Sequence, residues 1–175
     1  MNYRVTKYDP AFRDASGAYT KQDWTSFSDI GRAFGDITLS REDYLRVESA
    51  YIDIAVGFIA EDGARSLRVI GVENHGGFAH APKEGDIVSG EDLAAVCRSI
   101  LRDEYWCRLE ADDCYLHFGY DFYLYVGVKN QCTGSIQAAH RLGLFVEEFA
   151  SPYLEEKPEP IQSITAQRAS RVADC

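Results

Sequence analysis

Basic residues are in short supply in this 175-residue chain: 18 Lys and Arg stand against 28 Asp and Glu, a formal net charge of −10. A protein that holds nucleic acid needs a basic footprint to displace counterions from phosphates, so this balance argues against DNA or RNA as a partner. Long apolar runs are missing too. No stretch approaches the roughly 20 residues of a membrane helix, and the opening MNYRVTKYDP has no apolar core of the signal-peptide kind. Neither a membrane nor export is expected, and a cytoplasmic location is. The five cysteines, Cys97, Cys107, Cys114, Cys132 and Cys175, include no CxxC pair and no zinc-ligand spacing. Their number is odd, which fits reduced thiols, used here as small hydrophobes. Gly31 and Gly35 in DIGRAFGD lack the spacing and the preceding strand of a dinucleotide fingerprint. No cofactor and no metal is expected.

What the chain has instead is an aromatic segment over residues 105–128, YWCRLEADDCYLHFGYDFYLYVGV. Leu116, Phe118, Tyr120, Phe122, Leu124, Val126 and Val128 alternate with Tyr115, His117, Gly119, Asp121, Tyr123 and Tyr125. Period-two alternation marks a strand with one buried face. The second face is a row of tyrosines around one His and one Asp, and such a row needs a cover, either from the chain itself or from a partner. Asp112-Asp113 suits a tight turn, which pairs Ala111 with Cys114, Leu109 with Leu116 and Cys107 with Phe118 on the core face. The opposite face then pairs Glu110 with Tyr115 and Arg108 with His117, and lays Trp106 over Gly119. One register satisfies both faces, and a slip of one residue ruins both. An unbroken strand over residues 115–128 is long, roughly 45 Å, so a bend or bulge at Gly119 is expected.

Elsewhere the order reads β-α-β-α-β-β-α-β. A first strand covers residues 2–9 and stops at Pro10. Residues 10–38 are irregular, anchored by Trp24 and Phe27, with a short helix expected over 29–34. Ser40 caps a helix that Gly63 ends, with Tyr44, Val47, Tyr51, Ile54, Ala55 and Phe58 at helical spacing. A strand over 66–73, a Gly- and Pro-marked loop over 75–86 and a second helix capped by Ser89 follow. After the hairpin, Thr133 or Ser135 caps a third helix ending at Gly143, and residues 144–149 form the last strand. This is an α+β chain, a largely antiparallel sheet with helices packed on one face, in the manner of a ferredoxin-like variant. Residues 1–153 form the domain. Residues 154–175 read as a polar, Pro-rich tail with a weak helix near 164–172.

No catalytic set emerges. His117 and Asp121, four residues apart on one strand face, lie roughly 13 Å apart, and Cys114 and His117 fall on opposite faces. His75 and His80 (HGGFAH) have no third ligand of clear spacing. The residues expected to bind a partner are Trp106, Arg108, Glu110, Tyr115, His117, Asp121, Tyr123 and Tyr125 of the hairpin, with Trp24 and Asp29 from the irregular segment.

RVTKYDPAFRD, DWTSFSDIG, WCRLE and HFGYDFYLYVG resemble a group of small bacterial proteins of unassigned function, over most of residues 1–153. The resemblance brings no catalytic residues with it. In style the chain is also similar to immunity proteins of bacterial toxin systems, which are acidic, aromatic-rich, cytosolic and without an enzyme motif. That likeness implies a protein partner, a basic toxin domain, met by acidic steering and an aromatic interface centre. Two other readings stand beside it: a small enzyme or ligand-binding domain with its pocket between the tyrosine face and the Trp24 loop, and a homodimer that buries the tyrosine face.

Overall fold

The computed structural model describes residues 1–154. The expected tail, apart from Leu154, and the expected helix near 164–172 lie outside the described residues. The elements run β1 (Asn2–Thr6), β2 (Ala33–Phe34), β3 (Ile37–Thr38), α1 (Arg41–Asp62), β4 (Leu67–Glu73), β5 (Ile87–Val88), α2 (Gly90–Leu101), β6 (Trp106–Ala111), β7 (Cys114–Gly119), β8 (Tyr123–Gly127), α3 (Thr133–Arg141) and β9 (Phe145–Glu148). A seven-stranded sheet has the order β5-β4-β6-β7-β8-β1-β9, and every neighbouring pair is antiparallel. The chain is α+β, and its sheet is larger than the four strands of a ferredoxin-like unit.

The Asp112-Asp113 turn sets β6 against β7 in the expected register, with Leu109 opposite Leu116, Arg108 opposite His117 and Ala111 opposite Cys114. The expected single strand over 115–128 is corrected. The chain folds back at a turn over Tyr120–Phe122, and β8 pairs antiparallel with β7, Phe118 against Leu124 and His117 against Tyr125. Because this turn has three residues, even-numbered positions pair with even-numbered ones. Both strands therefore keep the alternation of one straight strand, and periodicity alone cannot tell the two apart. Trp106 does not cover Gly119 as expected: a side chain there would meet Tyr125, Tyr123 and Tyr153. Trp106 instead donates its indole N–H to the Phe118 carbonyl at 2.7 Å.

The core lies between this sheet and the helices. Val5, Leu109, Leu116, Phe118, Leu124 and Val126 meet Tyr44, Tyr51, Ile54, Phe58, Cys97 and Ile100 in one buried cluster. Each large apolar side chain so buried contributes roughly 1.5–3 kcal/mol. Helix α1 starts where expected: Ser40 accepts the Asp43 amide at 3.0 Å, and Gly63 closes the helix in the left-handed conformation that glycine takes without cost. It is buried on more than one side, including at Glu48, whose carboxylate meets the Arg102 guanidinium bidentately at 2.7 and 2.8 Å. Where a short helix was expected over 29–34, there is a 3-10 turn (Phe27–Asp29) and the β2–β3 hairpin.

Helix α3 takes its cap from another helix. Glu61 of α1 accepts the Gly134 and Ser135 amides at 3.0 and 2.7 Å and the Ser135 hydroxyl at 2.6 Å. Neither Thr133 nor Ser135 is the N-cap residue; that position is Cys132. A carboxylate on two free amides at a helix start is stabilising, both as an acceptor and against the helix dipole. Glu61→Ala should therefore cost about 1 kcal/mol in urea unfolding and Thr133→Ala about 0.5 or less. A larger effect at Thr133 than at Glu61 would contradict the assignment.

Candidate functional site

The tyrosine face, opposite the helices, is closed by the chain itself. After β9 the backbone crosses this face as a strap, residues 149–154. The Trp106 and Tyr153 rings meet at a tilt with centroids 5.3 Å apart, and Arg108 donates to the Tyr153 carbonyl at 3.1 Å. Tyr115, His117 and Tyr125 are buried beneath, and Tyr115 stacks on the His117 ring. The His117 Nε2 lies 3.0 Å from Glu110 Oε1, and its Nδ1 lies 2.8 Å from Ser151 Oγ. A carboxylate can only accept, so Nε2 carries the proton and Nδ1 accepts from the Ser151 hydroxyl. Burial, with the Arg108 charge nearby, pushes the His117 pKa down to about 4, so the ring is neutral at pH 7. By distance this is a Ser-His-Glu chain, but Ser151 is buried and its oxygen already takes the Tyr153 amide at 3.2 Å. It has no room to attack a substrate, and the relay anchors the strap.

The other end of this face is closed by the segment after β1. The Arg4 and Arg13 guanidinium groups both lie over the Tyr123 ring, and both arginines meet Glu147. Trp24 and Asp29 do structural work. Trp24 packs on Phe122 and Tyr44, while Asp29 is buried, accepts the Thr25 and Ser26 amides and pairs with Arg32. Lys7 sits over the Tyr8 and Trp24 rings, 2.9 Å from Asp23, and burial lowers its pKa to about 8.

An open concavity lies at the β7–β8 turn. A cleft of about 410 Å³ is bounded by Thr25 and Ser26, the 73–78 segment, the end of α2 with residues 103–105, and the Gly119–Phe122 turn. Its apolar walls are Ile100, Leu101, Tyr105, Trp106, Phe118 and Phe122, and its carboxylates are Glu73, Asp103, Glu104 and Asp121. Among the described residues no Lys or Arg lines it. Burial raises the Asp103 pKa. Burial acts the same way on Glu104, but hydrogen bonds from Ser99 and His80 outweigh it, and that pKa is lowered.

The cleft is also where the backbone is strained. Of the four non-glycine residues with positive φ among those described, Asp103, Asp121 and Phe122 line it, at φ 58°, 65° and 59°. Asp tolerates this region, but for Phe it is a true outlier, worth about 1–3 kcal/mol. Burial of the Phe122 ring among Trp24, Tyr44 and Tyr51, and a 2.6 Å hydrogen bond from the Tyr51 hydroxyl to its carbonyl, offset that cost. Strain held in place by such packing clusters at binding and catalytic sites.

Of the expected binding residues, Trp106 and Asp121 reach the cleft. Arg108, Glu110, Tyr115, His117 and Tyr125 belong to the strap's anchorage, and Tyr123 to the arginine-rich end. Asp103, Glu104, Tyr105 and Glu73 carry no signal of their own in the sequence, because the end of β4 and the segment after α2 are brought together only by the fold. His80 bonds Glu104 at 2.8 Å. Among the described residues no three His, Cys, Asp or Glu side chains converge as a metal site requires, and no helix is long and apolar enough to cross a membrane. Four cysteines, Cys97, Cys107, Cys114 and Cys132, are free and buried. No family model, no curated protein and no solved structure matches the chain.

If the turn is strained for a purpose other than stability, relaxing it should not weaken the fold. Asp121→Gly gives the left-handed position its preferred residue and should leave the melting temperature unchanged or higher. A loss above about 1 kcal/mol would show that the Asp121 side chain holds the turn.

Proposed function

We propose that this chain is a non-enzymatic, cytoplasmic binding protein of the immunity type, which receives a basic segment of a bacterial toxin domain in the β7–β8 cleft. The observation that carries the reading is the composition of that cleft among the described residues: aromatic and aliphatic walls, four carboxylates and no Lys or Arg. A lysine or arginine side chain matches such a site, since its stem packs on apolar surface while its head meets carboxylates, and arginine also stacks on aromatic faces. The net charge of −10 supports the same partner by steering a basic molecule toward the protein. Trp106, Tyr105 and Phe122 supply the rigid aromatic anchors typical of interface centres. The likeness in style to immunity proteins is what points to a bacterial toxin domain as the source of the basic segment.

Tetra-arginine amide is a direct probe. It should bind the full chain at low salt, and raising salt from 50 to 500 mM should weaken it mainly by slowing association. The combined variant Asp103→Asn, Glu104→Gln, Asp121→Asn should bind at least about tenfold more weakly with its melting temperature held, since Asn is also tolerated at positive φ. A parent chain that ignores the peptide, or a triple variant that binds it equally, defeats the proposal. If a small organic amine binds and no basic toxin domain encoded beside the chain does, the cleft is a small-ligand site, for which its volume is also adequate.

A further inference from the structure

Resting on that reading of the cleft, we propose that residues 149–154 are a proton-operated latch: the strap holds the cleft's Trp106 wall in place while His117 is neutral, and proton uptake by His117 releases it. The geometry carries the link at both ends. Ser151, buried with His117, ties the strap to the sheet through the hydroxyl bond to Nδ1 at 2.8 Å. Two residues on, the Tyr153 ring packs at a tilt against Trp106, its phenol lies against the Tyr120 backbone, and its hydroxyl is among the atoms nearest to where a side chain at Gly119 would start. Trp106, Gly119 and Tyr120 all line the cleft. The strap is thus a buttress behind the wall that a bound side chain would touch, and Tyr153 is a positioning residue for Trp106.

The relay has a defined polarity, and one proton inverts it at the His117–Ser151 bond. In the neutral state the Tyr153 N–H donates to Ser151 Oγ, the Ser151 O–H donates to His117 Nδ1, and His117 Nε2–H donates to Glu110. A second ring proton turns Nδ1 into a donor. The Ser151 hydroxyl proton then loses its acceptor inside a buried site. Among the described residues, the charged and titratable groups facing His117 are Glu110 and Arg108 from β6, Tyr115 on β7, Tyr125 from β8 and Tyr153 from the strap. Glu110 favours the imidazolium, while burial and Arg108 oppose it and prevail, holding the pKa at about 4. An opened strap returns His117 to its ordinary value of about 6.5. The latch is therefore at full strength above about pH 6.5 and weakens as pH falls toward 4.

The test uses the full chain and amide hydrogen exchange at Tyr153, corrected for intrinsic rates, together with the Trp106 indole N–H resonance. With pKa values of about 4 closed and 6.5 open, protection at Tyr153 should fall roughly 25-fold between pH 7.5 and pH 5. Ser151→Ala should lose protection at both pH values, and His117→Gln should lose the pH dependence. Should His117→Gln fail to fold, the parent's His117 titration by NMR serves instead, with an apparent midpoint well below 6.5 expected. Protection that changes less than twofold, or a fall that persists in His117→Gln, overturns the latch. A Trp106 indole signal that stays fixed while Tyr153 opens overturns the coupling to the cleft. Tetra-arginine amide that fails to bind at pH 7.5 overturns the cleft reading instead, so the two failures are distinct.

Discussion

Gly119 pairs with Tyr123 across a turn of three residues, and the rest of the molecule depends on that odd number. Antiparallel partners point to the same side of a sheet, so the turn keeps Leu116, Phe118, Leu124 and Val126 on one face and Tyr115, His117, Tyr123 and Tyr125 on the other. The preceding turn has two residues and reverses the parity, so Leu109 meets Leu116 and Arg108 meets His117. The two turn lengths together produce a sheet with a fully apolar side for the helices and a side of polar-tipped rings. The same three-residue turn forces Asp121 and Phe122 to positive φ, which puts strain at the mouth of the cleft.

The two faces then meet different fates. Helices α1, α2 and α3 cover the apolar one, and the packing of Tyr51 and Trp24 on Phe122 absorbs the strain of the turn. The aromatic face is too polar at its tips for a helix, and a strap can hydrogen-bond to those tips. Ser151 and Tyr153 find His117, Tyr115 and Arg108 as partners. Burying a neutral histidine with both nitrogens satisfied is inexpensive, whereas burying a charged one is not. That difference makes the strap sensitive to pH and links a packing solution to the cleft beside it.

Much of the sheet was legible in the sequence because alternation and turn chemistry are local. The Asp112-Asp113 hairpin register, the Ser40–Gly63 bounds of α1 and the core identity of Leu116, Phe118, Phe122 and Leu124 all follow from neighbours in the chain. The fold-back at Tyr120–Phe122 was hidden because an odd turn preserves the period. The cap of α3 was hidden because Glu61 lies more than 70 residues from Ser135. The cleft was half visible. Trp106 and Asp121 stand out by their place in the aromatic segment, while Asp103 and Glu104 look like ordinary acids after a helix. The aromatic face read as a surface in need of cover, and six residues after β9, with no apolar periodicity, supply much of that cover.

In the proposed function the β7–β8 cleft, and not the sheet face under the strap, receives a cationic partner. Titration of the isotopically labelled full chain with tetra-arginine amide at neutral pH, followed by amide and indole resonances, tests it most directly. Perturbations should concentrate at Asp103, Glu104, Trp106 and residues 119–122, and leave Arg4, Tyr115 and Tyr125 unmoved. Shifts centred on Tyr123, Tyr125 and Arg4, with the cleft silent, would contradict it.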